Sequence, residues 1–161
     1  MNEVLINIIE TIFGGLILTF ILFFLNEFVF NKKNLSGVWK VDLEIDESTF
    51  NPYKNLLIEY QFHLIQNGNS IKGTGEKIKE TNKEKEVTEY ERSKRVTIEI
   101  DGFYNRKYLR KSQINLNIKE NGRQRESRAF YNLKVENNKK MIGSFDWTAA
   151  DSTGKLTFEK I

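Results

Sequence analysis

The sequence predicts an all-β domain, an eight-stranded up-and-down antiparallel barrel, preceded by a single transmembrane α-helix. Two observations predict it. Val4 to Phe30 reads VLINIIETIFGGLILTFILFFLNEFVF, with no Lys, Arg or Pro. The rest of the chain alternates apolar and polar residues over short runs, broken by turn signals such as Asn67-Gly68 and Asn121-Gly122. Period-two alternation marks half-buried strands, and closure into a barrel removes the exposed edges of an open meander.

The apolar stretch is taken first. About 20 mostly apolar residues in a helix cross the roughly 30 Å hydrocarbon core of a bilayer. Val4 to Phe30 is long enough for one crossing and too short for two. Nothing before it is basic, Glu3 is acidic, and Lys32-Lys33 follow it directly. The positive-inside rule then places the C-terminal side in the cytoplasm. The expected division is residues 1–33 as helix and flanks, and residues 34–161 as a cytoplasmic barrel. The expected location is the cell inner membrane, crossed once. An uncleaved export anchor is the competing reading of the same stretch; a basic leader and a small-residue cleavage site are not visible.

Composition narrows the function classes. The chain has 161 residues, no Cys, one His and one Pro. Disulfide frameworks, thiolate metal sites and His-rich metal clusters are thereby excluded. The first 30 residues hold Glu3, Glu10 and Glu27 and no base, so residues 31–161 set all 25 basic side chains against 19 acidic ones, a net charge of +6. That balance suits an anionic ligand or an anionic membrane surface.

The strands are predicted in order. Asn31 to Leu35 is a tether, and Gly37-Val38-Trp39 opens the first strand, with Trp39, Val41, Leu43 and Ile45 on one face. Glu47 to Asn55 is a loop. Leu56 to Gln66 is the second strand, with Tyr60 and Phe62 inward, and Ile71 to Lys79 is the third, its Gly73 and Gly75 marking bending or close packing. Glu80 to Glu91 is a charged connection. A fourth strand is expected from about Arg92 to Ile100, a turn at Asp101-Gly102, and a fifth strand from about Lys107 to Lys119. Arg123 to Glu136, Lys139 to Ala150 and Lys155 to Ile161 complete the eight, with a last turn at Asp151 to Gly154.

Two stretches carry a resemblance. Leu35-Ser36-Gly37-Val38-Trp39 resembles the Gly-x-Trp opening of lipocalin-like and avidin-like barrels, with Lys160 the base nearest to the lipocalin closing Arg. The ending, Gly143-Ser144-Phe145 through Gly154-Lys155-Leu156-Thr157-Phe158, together with the N-terminal helix resembles the membrane-anchored β-barrel effectors of CBASS, the bacterial cyclic-oligonucleotide antiphage system. That family is described with two helices before the barrel; this chain has room for one. The resemblance implies a barrel that binds a cyclic dinucleotide as its activating ligand, self-associates, and damages the bilayer through its helices, so that the infected cell dies. It implies no other cofactor and no DNA or RNA partner.

Meander geometry places the site. If the first strand starts at the membrane-proximal end, the longer connections gather at the far end and form the mouth. Inward parity and strand position then select Tyr60, Arg92, Lys94, Arg125, Ser127, Tyr131 and Trp147 as ligand-binding residues. Arg and Lys suit the two phosphates of a cyclic dinucleotide, and aromatic rings suit its bases. The bland alternative makes the aromatics core and the bases a solvated rim. Trp39 reads as a packing plug and His63 as outward. No nucleophile–base pair, phosphate loop or metal cluster is present, so a binding protein rather than an enzyme is expected. In the helix, Asn7, Glu10, Thr11 and Gly14 share one face suited to helix assembly. A barrel that binds a protein partner, and an exported carrier of an apolar molecule, are the competing functions.

Overall fold

The computed structural model describes residues 2–25, 33–91, 96–107, 110–122 and 126–161. The chain divides into two compact units, Met1–Lys33 and Asn34–Ile161.

The first unit holds one helix, α1 (Asn2–Phe24). Within Glu3–Phe24 the mean hydropathy reaches 2.2, and this helix is long and apolar enough to cross a membrane. Its described side chains are exposed all round the helix. Thr11 and Thr19 return their hydroxyls to the carbonyls of Asn7 and Gly15, both at 2.8 Å. Those two polar groups therefore ask nothing of their surroundings. Asn7, Glu10, Thr11 and Gly14 all lie on α1. The predicted continuation to Phe30, the tether start and Lys32 fall outside the described residues.

The second unit is an eight-stranded antiparallel closed barrel. Its strands are β1 (Gly37–Glu47), β2 (Leu57–Asn67), β3 (Ser70–Thr81), β5 (Thr97–Asn105), β6 (Gln113–Asn121), β7 (Glu126–Asn137), β8 (Lys140–Trp147) and β9 (Ser152–Lys160). Each pairs with the next in this order, and β9 closes on β1, Val41 opposite Phe158. A ninth short strand, β4 (Val87–Glu89), lies outside this ring and, among the described residues, pairs with the end of β3 alone. The charged connection expected from Glu80 to Glu91 thus begins inside β3 and folds back on it through β4.

The strand positions correct the sequence reading between residues 92 and 119. Asp101-Gly102 is no turn; β5 runs straight through it to Asn105. A Cβ on Gly102 would lie 2.2 Å from the Asn115 carbonyl of β6, so this glycine serves close strand approach. Consequently β6 begins at Gln113 rather than near Lys107, and the described residues Arg106, Lys107 and Arg110 to Ser112 lie in no strand. At the C-terminus the turn comes earlier than expected, and β9 starts at Ser152.

Alternation makes the core. Trp39, Phe62, Tyr131, Phe145 and Phe158 are each at most 2 % exposed and fill the barrel interior. Phe62 sits 5.6 Å from the Phe158 ring and 6.5 Å from that of Tyr131. Gly75 leaves its space to Phe62, because a Cβ there would lie 2.4 Å from the ring. Trp39 donates its indole N–H to the Leu35 carbonyl at 2.8 Å, and the Lys160 ammonium lies 5.7 Å from the Trp39 ring centroid. Burial with a satisfied N–H makes Trp39 a plug at the end where β1 begins. His63 is exposed.

Candidate functional site

At the opposite end, the β1–β2, β3–β5, β6–β7 and β8–β9 connections surround the barrel opening. One side of the rim is tied down. The β1–β2 connection carries a 3-10 turn, Asn51–Tyr53, started by Pro52. It is bonded to the β8–β9 turn through one carbonyl. Ala150 O accepts from the Thr49 amide at 2.9 Å, the Thr49 hydroxyl at 2.8 Å and the Ser48 hydroxyl at 3.2 Å. Ala150 holds φ +55°, a left-handed conformation that costs a non-glycine residue energy and needs such over-determination.

This fixed rim presents aromatic rings. Tyr53 and Trp147 stack with centroids 6.1 Å apart and planes at 15°. Trp147, half-buried at the end of β8, donates its indole N–H to the Ser127 hydroxyl at 3.2 Å. Ser127 lies on β7 opposite Glu120 of β6.

Below the rim lies a buried polar group. β3 slips register between Glu59 and Tyr60 of β2. The bulge lets both Lys77 and Glu80 face the interior, and they pair at 2.6 Å. The Lys77 ammonium also lies 5.3 Å from the ring centroid of Tyr90, whose hydroxyl bonds Glu80. Glu120 is 9 % exposed and accepts one long hydrogen bond, 3.4 Å, from the Tyr60 hydroxyl. Burial pushes the Glu120 carboxyl above its ordinary value of 4.5, Lys77 opposes that rise, and Glu80 adds to it. Burial, with the Glu120 charge beside it, holds the Tyr60 phenol well above its ordinary range, so Tyr60 stays a donor.

A prediction follows from the sign of the Glu120 shift. A carboxyl raised in the folded state contributes most stability below its unfolded value, and that contribution is lost as pH rises through the folded value. The wild-type barrel should therefore lose stability as pH climbs from about 4.5, the unfolded value. Glu120→Gln should remove that slope and melt higher than wild type at neutral pH. Thermal melts of both proteins across pH 4–8 check it (~4 pH units, wide enough to cover a raised carboxyl).

The structure brings together Tyr60, Ser127 and Trp147 of the expected ligand residues. Tyr131 lies deeper, 2 % exposed between Phe62, Phe145 and Phe158, where it forms the floor rather than the rim. Arg92, Lys94 and Arg125 fall outside the described residues. Tyr53, Lys77, Glu80, Tyr90 and Glu120 are the additions. Glu120 shares parity with Ile114, Leu116 and Ile118, and Lys77 with Ile71, so both were detectable from alternation. Glu80 was not, because the bulge reverses its side. A groove of about 560 Å³ runs over the outer wall and reaches Trp147 from outside. Its carboxylates, Glu99, Asp101, Asp146 and Asp151, outnumber Lys119 and Arg128 and disfavour an anion.

No protein-family model matches the chain, and no curated protein matches it. Solved structures do. A redesigned β-barrel matches with a TM-score of 0.54 at 8 % identity, over 79 % of this chain and 91 % of that chain. The redesigned barrel mFAP1, bound to DFHBI, matches with a TM-score of 0.51 at 10 % identity, over 78 % of this chain and 94 % of that chain. The likeness is one of fold. It agrees with the closed eight-stranded ring and says nothing of ancestry.

Proposed function

We propose that this chain is a membrane-anchored binding protein. α1 crosses the bilayer once, and the cytoplasmic barrel takes a planar, hydrogen-bonding small molecule at its mouth. The observation that carries the reading is the Tyr53–Trp147 stack, fixed at the rim beside the buried Lys77 and Glu120 and the half-buried Glu80. Aromatic stacking plus a few convergent polar groups is the usual make-up of such sites. The barrel of like fold bound to DFHBI supports a small-molecule occupant. The filled floor of Phe62, Tyr131, Phe145 and Phe158 disfavours a deeply buried apolar cargo.

Within this reading the ligand put first is a cyclic dinucleotide, and the output is self-association and damage to the inner membrane in antiphage defence. The support is the sequence resemblance and the net +6 of residues 31–161. In this reading the site binds its ligand and carries out no reaction on it.

Calorimetry of the full chain in detergent, against a panel of cyclic dinucleotides and an apolar fluorophore, tests the ligand. A cyclic dinucleotide should bind, and Trp147→Ala should weaken it by about tenfold to a hundredfold, the worth of one stacked base. Arg125→Ala should weaken it as well. Binding of the fluorophore alone would replace this reading with that of an apolar carrier. The anchor has its own test. Residues 34–161 expressed alone should be released from membranes by high salt or alkaline extraction, whereas the full chain should resist both.

A further inference from the structure

The barrel end away from the mouth carries a surface of different chemistry. The β5–β6 connection brings Arg106, Lys107, Arg110 and Lys111 there, and the β7–β8 turn adds Lys139 and Lys140. These connections are neighbours: the Val135 amide donates to the Ser112 carbonyl at 2.9 Å, and Lys111 pairs with Glu136. The strip continues across β9. The Lys160 amide donates to the Lys139 carbonyl at 2.9 Å, and the Lys160 ammonium donates to the Asn34 carbonyl at 3.4 Å. Asn34 is where the chain from α1 enters the barrel unit. The described acidic side chains at this end are Glu136 and Glu159, each already paired, with Lys111 and Lys140. Among the described residues, Lys107, Arg110 and Lys139 have no carboxylate within ion-pair distance.

A second observation is independent of charge. The three most exposed large apolar side chains described in the barrel unit are Ile161, Ile65 and Phe103, at 78, 68 and 67 % exposed. All three belong to this end. Ile161 follows the last residue of β9, Phe103 faces Ser70 at the start of β3, and Ile65 lies two residues before the end of β2. Basic side chains interspersed with exposed Ile and Phe fit a lipid–water interface: the ammonium and guanidinium groups meet phosphates, and the apolar groups enter the headgroup–acyl boundary.

We infer that this end of the barrel docks on an anionic bilayer surface. The inference rests on the anchor reading for the arrival of the chain at Asn34, and not on the identity of the ligand. Docking there would turn the mouth toward the aqueous phase and hold it open to a soluble ligand.

The chain has no Cys, so Asn138→Cys in the β7–β8 turn gives a single labelling site. The labelled full-length chain is mixed with neutral phosphatidylcholine vesicles, or with vesicles that also contain phosphatidylglycerol. Flotation reports attachment, and quenching of an environment-sensitive dye by headgroup-labelled lipid reports docking. Quenching should be stronger on the anionic vesicles and should fall as salt is raised. Combining Lys107→Gln, Arg110→Gln and Lys139→Gln should lower the docked-to-undocked ratio about fivefold per cation removed. Flotation with anionic vesicles alone would uphold docking and remove the anchor. Equal flotation and equal, salt-insensitive quenching on both vesicles would overturn docking and leave the anchor standing. Loss of quenching on adding a short RNA duplex, with no response to lipid charge, would assign the strip to nucleic acid and also overturn it.

Discussion

Phe62→Ala is expected to destabilise the barrel by about 3–5 kcal/mol, the usual cost of emptying a buried aromatic site. Phe62 is fully buried and touches three further rings, those of Tyr60, Tyr131 and Phe158. The neighbours cannot close the void cheaply. Phe62 and Gly75 face each other across the β2–β3 pair, so the space around the ring is set by backbone positions. Strands held by ladder bonds on both sides do not move inward by a ring's width. Urea unfolding of residues 34–161 measures the loss. A cost under about 1 kcal/mol would show that the interior is loosely packed, and would return the deep-cargo reading to consideration.

Lys77→Met should cost about as much at neutral pH, on the order of 3–5 kcal/mol, by a different route. Methionine fills similar space, so the loss is electrostatic. It leaves Glu80 and Glu120 facing the interior without the cation that pairs with one and opposes the other's rise. The Glu120 carboxyl, already raised by burial, loses the cation that opposes that rise and titrates higher still in the folded state. Its part of the penalty is present above that raised value and fades as pH falls toward the ordinary carboxyl value of 4.5, below which folded and unfolded chains are alike protonated at this group. Adding Glu120→Gln to Lys77→Met should recover part of the loss at neutral pH and little in acid. Chemical unfolding at pH 7.5 and pH 4 separates the cases (a span of ~3.5 pH units). Equal destabilisation at both would mean that Lys77 acts by packing alone.

Both results depend on which side of the sheet a residue faces, and that was largely legible. Trp39, Val41, Leu43, Tyr60, Phe62, Tyr131 and Leu133 alternate with polar residues, and all are buried. A slip of one residue would have put every one of them in water, so alternation specifies face strongly wherever one side is apolar. The turn at Asn67-Gly68-Asn69 was legible for the same kind of reason, because Gly68 adopts a positive φ at a hairpin tip. Asp101-Gly102 carried the same local signal and misled. A glycine that lets a carbonyl approach within a strand cannot be told from a turn glycine until the neighbouring strand is known.

The candidate site divides along the same line. Alternation and strand order sufficed to place Trp147 and Ser127 at one end and Trp39 at the other. They could not show that Tyr53, on an irregular connection, lies against Trp147, since 94 residues separate the two and only barrel closure brings them together. Nor could they show Lys77 and Glu80 facing inward together, because that needs a bulge, and a bulge is set by the mismatch between two paired strands. The basic end has the same origin: Arg106 to Lys111, Lys139 and Lys160 are scattered along the chain and become one surface through strand order. Face and apolar length are local properties, fixed by side-chain period and transfer from water, so the chain alone determined the long helix and the inward residues wherever no bulge intervenes. Which inward residues meet, and which connections adjoin, depends on ladder register and closure, and these exist only in the folded barrel.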